Sequence, residues 1–203
     1  MERRLIAQGF TSVIGCDEVG RGPLAGPVVA GLVVWSLDQD TWPEGLYDSK
    51  SVTEKKRGPL AAAIRDAFPQ HALGESSVEV IEAEGIQKAL ALAVVEGLLE
   101  LARQSVAVGR AVVLLDGSHD FLTPHLPHPV TVVTRPKADR DCVSVAAASV
   151  LAKVHRDETM VAHHETYPEY GFASNKGYGS KAHLEAIAQH GITPLHRASW
   201  IHL

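Results

Sequence analysis

The chain has 203 residues, of which 45% are hydrophobic and 21% charged, and its formal net charge is −5 at pH 7. This composition suits one domain, or one domain with a small appendage, large enough to bury a sizeable core. Phosphate contacts supply most of the non-specific affinity for nucleic acid, so the negative charge argues against a broad nucleic-acid binder. It is compatible with an enzyme that collects carboxylates to hold metal.

The sequence also predicts the cellular compartment. Its apolar runs are only as long as strands, and its first five residues lack the apolar core of a signal peptide, so neither a transmembrane span nor secretion is predicted. Cys16 and Cys142 lie in apolar segments and match no metal-ligand spacing. We expect both thiols to be reduced, in a cytoplasmic protein with no membrane partner.

The stretch from Val13 to Trp35 predicts a strand, a functional turn and a second strand. Asp17 and Glu18 close the first apolar run. Neighbouring strand residues point to opposite faces, so the two carboxylates can share one site only where the strand ends and twists. Such a pair is suited to a divalent cation, and a solvated acidic pair at a strand end is the alternative.

The turn itself is Gly20-Arg21-Gly22. Glycine permits positive φ and leaves backbone N–H groups unshielded, so a phosphate or sugar can approach closely. Gly20-x-Gly22-x-x-Ala25 also matches a dinucleotide-binding fingerprint. That fingerprint normally opens a helix, whereas Val28 begins a β-branched run, so the cofactor-binding alternative is disfavoured.

Hydrophobic periodicity predicts further elements along the chain. The predicted strands are Leu73–Ile81, Ala111–Leu115 and Val130–Val133, and the predicted helices are Lys55–Phe68, Glu82–Gln104, the alanine-rich run Val143–Asp157 and a last helix that ends at His190. Asp116 follows a strand expected to be buried on both faces, a place equally suited to chemistry and to an ordinary turn. Tyr178 lies between two glycines and is therefore free to be exposed as a stacking platform.

Several of these motifs together resemble the ribonuclease HII family. They are the run Asp17 to Val29, Asp48-Ser49-Lys50, Asp116-Gly117, the run Val143 to Asp157 and Lys176-Gly177-Tyr178-Gly179, and the resemblance covers residues 12–200. It implies an α/β fold, a ribonuclease-H-like mixed sheet flanked by helices. It also implies a catalytic core at residues 1–155 and a small C-terminal helical lobe at 156–203, packed on the core as a single structural unit.

The resemblance implies a metal-dependent endonuclease that hydrolyses the RNA strand of RNA/DNA hybrids and incises 5′ of single ribonucleotides in duplex DNA, leaving a 5′-phosphate and a 3′-hydroxyl. Two Mg²⁺ or Mn²⁺ ions would be held by the four catalytic carboxylates, which are Asp17, Glu18, Asp116 and Asp139. Substrate would be bound by Gly20, Arg21, Gly22, Lys50 and Tyr178. The partners expected are these nucleic acids, and the protein is expected to be a monomer.

One departure from the family pattern affects the fourth carboxylate. The family has Lys-Gly-Asp where this chain has Lys137-Ala138-Asp139, and Asp141 follows two residues later. Alignment on the lysine favours Asp139 and leaves Asp141 as the alternative. Two other functions stay open: a ribonuclease HIII-like hybrid nuclease, whose family usually has a different glycine-rich turn and an extra N-terminal domain, and a non-catalytic hybrid-binding module of the same fold.

Overall fold

A computed structural model describes residues 1–46 and 53–202 of the chain. Its five strands form one mixed sheet in the order β3-β2-β1-β4-β5. β1 pairs antiparallel with β2 and parallel with β4, while β2–β3 is antiparallel and β4–β5 is parallel. The strands are β1 Val13–Val19, β2 Val28–Trp35, β3 His71–Ser76, β4 Val112–Asp116 and β5 Thr131–Arg135.

Helices flank this sheet, so the predicted ribonuclease-H-like mixed sheet with flanking helices is confirmed. The α-helices of the described residues are α1 Glu2–Ile6, α2 Glu54–Ala67, α3 Val78–Glu84, α4 Ile86–Arg103, α5 Ala138–Asp141, α6 Val143–Thr166, α7 Phe172–Asn175 and α8 Lys181–His190. None of the helices in the described ranges is long and apolar enough to cross a membrane.

Three predicted elements are wrong in their boundaries. The alanine-rich helix predicted to end at Asp157 continues to Thr166. The strand predicted over Leu73–Ile81 ends at Ser76, because the Ser77 hydroxyl accepts from Val80 N–H and caps a helix that begins at Val78. The helix predicted over Glu82–Gln104 is really two helices. Gly85, at φ 80° and ψ 159°, ends α3 and begins α4, since that conformation cannot continue a helix.

The two faces of the sheet bury separate hydrophobic clusters. α4 covers one face, and α2 and α6 cover the other. α6 lies unusually close to the sheet: a Cβ on Gly15 would lie 2.3 Å from the backbone of Ser144, and one on Gly31 would lie 2.2 Å from the Ala148 carbonyl oxygen. Small residues on both sides therefore let a helix contact the two central strands directly.

A third cluster lies at the end of α6, which runs without a break through the predicted boundary at residues 155 and 156. This cluster contains Ala25, Met160, Tyr170, Phe172, Ala186 and Ile187. It joins the chain segment after β1 to the C-terminal helices. The division into a core and a lobe stays a prediction, and below "the lobe" means residues 156–202.

Candidate active site

A cavity of about 390 Å³ opens where β1 and β4 end. The pairing of these parallel strands ends at Cys16 and Leu115, so the next residues, Asp17 and Asp116, lie side by side where β1 and β4 separate. Each of the two still pairs with the strand on its other side. Parallel strands end at the same edge of a sheet, which is why carboxylates far apart in sequence meet here. The cavity is lined by Asp17, Glu18, Val19, Arg57, Asp116, Asp139, Ser149, Val150 and Lys153.

The structure thus brings all four predicted carboxylates to one cavity and leaves Asp141 outside it. Asp139 is only 3% exposed. Asp141 is exposed and pairs instead with Arg135, with 2.6 Å between Nη2 and Oδ2. The short helix α5 also orients Asp116, because the Ala138 N–H donates to Asp116 Oδ1 over 2.7 Å.

Two of the four carboxylates, Asp17 and Glu18, have raised pKa values. Burial, reinforced by the charges of Glu18 and Asp116, raises the pKa of Asp17 from 3.8 to about 7, although hydrogen bonds from Ser149 and the Glu18 N–H oppose the rise. Burial also raises the pKa of Glu18, against the effect of Arg21, whose Nη1 donates to Glu18 Oε1 over 3.0 Å. Glu18 Oε2 is buried without a hydrogen-bond partner among the described residues.

This donor set fits a hydrated divalent cation better than a closed metal cage. Within residues 1–46 and 53–202, no group of three or more His, Cys, Asp or Glu side chains is arranged so that it could hold a metal ion directly. The four carboxylates therefore border the cavity without meeting at one point. Mg²⁺ commonly keeps several waters and takes only one or two carboxylates directly, so the unpartnered oxygen of Glu18 and the buried carboxylate of Asp17 are suited to it.

Three other residues that line the cavity were missed by the sequence analysis as site residues. Ser149 hydrogen-bonds Asp17. Lys153 donates to Asp157 Oδ1 over 2.5 Å, and Arg57 Nη1 lies 3.7 Å from Asp157 Oδ2. One carboxylate thus holds two cations at the wall of the cavity. Lys153 and Asp157 are four residues apart on one helix, and this spacing was a signal that the sequence already contained.

The glycine turn lies against the lobe, next to Tyr178. A Cβ built on Gly22 lies 3.8 Å from Cε1 of Tyr178, whose side chain is 47% exposed. Gly20 has φ 95°, and a Cβ there would lie 2.6 Å from Arg156 Nε. Both the backbone conformation and the lack of space therefore require glycine at this position. Of the predicted contacts, Arg21, Gly22 and Tyr178 form one exposed surface, and Gly20 is buried beneath it against Arg156. Lys50 lies outside the described residues.

Backbone bonds hold Tyr178 in register with the turn. The Leu24 N–H donates to the Gly177 carbonyl over 2.8 Å. His183 Nδ1 lies 2.8 Å from the Tyr178 carbonyl oxygen. A carbonyl oxygen can only accept, so Nδ1 carries the hydrogen of the neutral ring. The other ring nitrogen, Nε2, is then free to accept from His196 Nε2 over 3.1 Å. Burial and the neighbouring His183 lower the pKa of His196 to about 4, so this pair is neutral near pH 7.

Comparisons with known proteins agree with this geometry. A family model described as Ribonuclease HII matches residues 14–203. Ribonuclease HII of Streptomyces avermitilis is 44% identical over 204 residues, which cover 100% of this chain and 83% of that protein. Ribonuclease HII of Nitrosomonas europaea is 45% identical over 194 residues, which cover 96% of this chain and 84% of that protein.

Solved structures of a ribonuclease H2 and a ribonuclease HII have a similar fold. The ribonuclease H2 from Pyrococcus horikoshii OT3 superposes with a TM-score of 0.72 at 26% identity and covers 93% of each chain. The RNase HII in a PCNA:RNase HII complex from Archaeoglobus fulgidus superposes with a TM-score of 0.74 at 27% identity, covering 95% of this chain and 96% of that one. Because the family model spans nearly the whole chain and the curated relatives exceed 40% identity, this chain belongs to the ribonuclease HII family and is an endonuclease of the ribonuclease H type.

Proposed function

We propose that the protein is a metal-dependent endonuclease that cleaves the RNA strand of RNA/DNA hybrids and incises 5′ of single ribonucleotides in duplex DNA. The products are a 5′-phosphate and a 3′-hydroxyl, and no covalent enzyme intermediate forms. The observation that carries the proposal is a cavity bordered by four carboxylates. The adjacent exposed surface of Arg21, Gly22 and Tyr178 is suited to a sugar. A cytoplasmic monomer stays a prediction.

The carboxylates Asp17, Glu18, Asp116 and Asp139 would hold two Mg²⁺ or Mn²⁺ ions. When bound, these ions supply an activated water and stabilise the leaving 3′-oxygen. The chain orients the ligands beforehand: the Ala138 N–H fixes Asp116, and Ser149 with the Glu18 N–H fixes Asp17.

Selection of RNA rests on the 2′-hydroxyl, which only RNA presents. The backbone of the turn Gly20-Arg21-Gly22 is proposed to bind it, and within this turn Arg21 and Gly22 are exposed while Gly20 is buried. Tyr178 would stack on the sugar at the step from RNA to DNA. Lys50 would contact the phosphate backbone, as its motif does in the family, and Arg57 and Lys153 add positive charge at the cavity wall.

One assay tests the proposal directly. A labelled duplex with one embedded ribonucleotide is incubated with the protein in Mg²⁺, in Mn²⁺ and in a chelator, beside an all-DNA duplex of the same sequence. We expect cleavage only of the ribonucleotide duplex and only with metal, at the 5′ side of the ribonucleotide. Binding without cleavage in any metal would instead indicate a non-catalytic hybrid-binding module.

The fourth carboxylate gives a paired prediction. Asp139→Asn should lower the cleavage rate by at least about 100-fold, because one ligand charge is worth several kcal/mol at a metal-assisted transition state. Asp141→Asn should change the rate less than about threefold, since that carboxylate pairs with Arg135 at the surface. Single-turnover rates in Mg²⁺ measure both, and the opposite order of severity would show that Asp141 is the ligand.

Tyr178 gives a second prediction. Tyr178→Phe should retain most activity because stacking uses the ring face and not the hydroxyl. Tyr178→Ala should lose about five- to 150-fold, taking roughly 1–3 kcal/mol for a stacked ring. The loss should be greater on a duplex with one ribonucleotide than on a uniform hybrid, since only the former depends on finding one junction.

The melting temperature provides the control for Tyr178. An alanine variant that melts markedly lower and cleaves both substrates with equal losses would indicate that the ring anchors the lobe. The 47% exposure of the side chain makes an unchanged melting temperature the expected result.

A further inference from the structure

Two buried arginines lie directly beneath the glycine turn. Arg156 and Arg197 are both 0% exposed. Every hydrogen bond found for their guanidinium groups in the described structure goes to a backbone carbonyl oxygen. Burying a charged group costs several kcal/mol, but an apolar side chain in the same space would leave these carbonyl oxygens without hydrogen-bond partners. The guanidinium groups therefore fix the positions of the carbonyls of the turn.

The two arginines overlap at the Pro27 carbonyl, which accepts from Arg156 Nε over 2.9 Å and from Arg197 Nη2 over 3.5 Å, but only Arg197 binds the first part of the turn. Arg197 Nη2 donates to the Gly20 carbonyl over 2.6 Å and Nη1 to the Arg21 carbonyl over 3.2 Å. It also holds the Gly26 carbonyl, with Nη2 at 2.9 Å. Arg156 binds the carbonyls of Ala25, Pro27 and Lys176. Arg197 thus holds the part of the turn proposed to contact substrate, and Arg156 holds the exit of the turn.

The bonds to Arg197 determine where two N–H groups point. A trans peptide directs its C=O and N–H to opposite sides, and neither of these peptides is cis. The Gly20 carbonyl shares a peptide with the Arg21 N–H, and the Arg21 carbonyl shares one with the Gly22 N–H. Because both carbonyls face inward to the guanidinium, both N–H groups face outward. Arg21 and Gly22 are exposed, and Gly22 lies beside Tyr178. A carbonyl bound to a cation also polarises its peptide and makes the attached N–H a stronger donor.

Arg197 is itself fixed from both sides. Its own N–H donates to the Leu24 carbonyl over 2.8 Å, and its guanidinium carbon lies 4.8 Å from the centre of the Trp200 ring. Burial, with a smaller effect of Arg156, lowers its pKa to about 10, so the group stays charged near neutral pH. The segment after α8 therefore delivers a fixed cation to the underside of a turn more than 170 positions earlier in the chain.

We propose that Arg197 is a positioning residue for ribonucleotide recognition: it aims the N–H groups of Arg21 and Gly22 at the substrate ribose without contacting the substrate. This inference rests on the proposed function, because it requires that these backbone groups contact the 2′-hydroxyl. It assigns discrimination between ribose and deoxyribose partly to a C-terminal residue that is wholly buried.

The test uses Arg197→Lys, which keeps the positive charge and loses the forked geometry that binds Gly20 and Arg21 together. Affinity for a duplex with one ribonucleotide and for its all-DNA counterpart is measured by fluorescence anisotropy in a chelator, so that no cleavage occurs. We expect the ratio of the two affinities to fall about 10-fold, as for one lost hydrogen-bond contact of the stronger kind. Affinity for the all-DNA duplex should change little.

Ile187→Ala is the matched stability control, because Ile187 is 2% exposed in the core of the lobe, on α8, and its aliphatic side chain makes none of the hydrogen bonds that hold the turn. It should lower the melting temperature and leave the affinity ratio unchanged. An equal fall of the ratio in both variants would show that Arg197 acts only through stability, and an unchanged ratio in Arg197→Lys would overturn the inference. A wild-type protein that binds both duplexes equally would instead overturn the proposed function.

A second measurement does not depend on a variant that folds. In the wild-type protein, the amide resonances of Arg21 and Gly22 should shift on addition of the ribonucleotide duplex and shift much less with the all-DNA duplex. Equal shifts with both duplexes would contradict the inference even where discrimination itself is found.

Discussion

Asp116→Asn should lower the single-turnover cleavage rate by about three orders of magnitude, since loss of a ligand charge of several kcal/mol corresponds to that factor. Asn keeps the size of the side chain and an oxygen that can accept from the Ala138 N–H. The melting temperature should therefore change little. In a chelator, affinity for the hybrid should rise, because one negative charge facing the phosphates is gone.

Asp40→Asn is the matched control, because it also removes one negative charge but from an exposed carboxylate that pairs with Arg3. Its cleavage rate should equal that of the wild type. A folded Asp116→Asn protein that turns over within tenfold of the wild type would exclude a role for this carboxylate in holding metal. The same measurement on Glu18→Gln tests the carboxylate with the unpartnered oxygen.

The sheet could be predicted because its strands have clear local patterns. The run Val28 to Trp35 is β-branched and apolar, and the observed strand has the predicted bounds. The segment near Val78 was predicted wrongly because its alternation of apolar and polar residues fits both periods over so few positions. The segment forms a helix that is capped by the Ser77 side chain. Such a cap is a single hydrogen bond, which the periodicity of apolar residues does not show.

The positions of the four carboxylates could also be predicted, since Asp17, Glu18 and Asp116 lie at or near strand ends and Asp139 lies before α6. The basic residues at the cavity wall could be predicted only in part, through the spacing of Lys153 and Asp157 on one helix. Arg57 and Lys153 come to the cavity from α2 and α6, two helices whose relative placement depends on packing over the sheet. The sequence analysis assigned no role to Arg197. Its partners are backbone carbonyls, and every residue has one, so the sequence carries no sign of which carbonyls an arginine binds.

The cluster of carboxylates should make the metal-free protein less stable above neutral pH. The pKa of Asp17 is raised from 3.8 to about 7, mainly by burial. Between these two values the folded state holds a proton that the unfolded state has lost, so stability falls as pH rises through this window. The fall is about 1.4 kcal/mol per pH unit, about 4 kcal/mol in all, and it is complete above the folded-state pKa.

Asp17→Asn should remove this cost because asparagine carries no charge to bury. We expect the metal-free variant to exceed the wild type in free energy of unfolding by roughly 2–4 kcal/mol at pH 8, with the difference vanishing near pH 4. Asn can still accept from the Glu18 N–H, which now contacts Asp17 Oδ1 over 2.9 Å. Denaturant unfolding in a chelator at both pH values measures the difference, and Asp40→Asn should show none.

Addition of Mg²⁺ at pH 8 should then stabilise the wild type and leave Asp17→Asn almost unchanged, because a cation that binds only the folded state shifts unfolding by mass action. Equal stability of the two proteins at pH 8 without metal would show that Asp17 is already neutralised by its surroundings. A more stable variant that no longer cleaves is the expected outcome. It would mean that the fold tolerates an unfavourable carboxylate at the end of β1 because the reaction needs its charge.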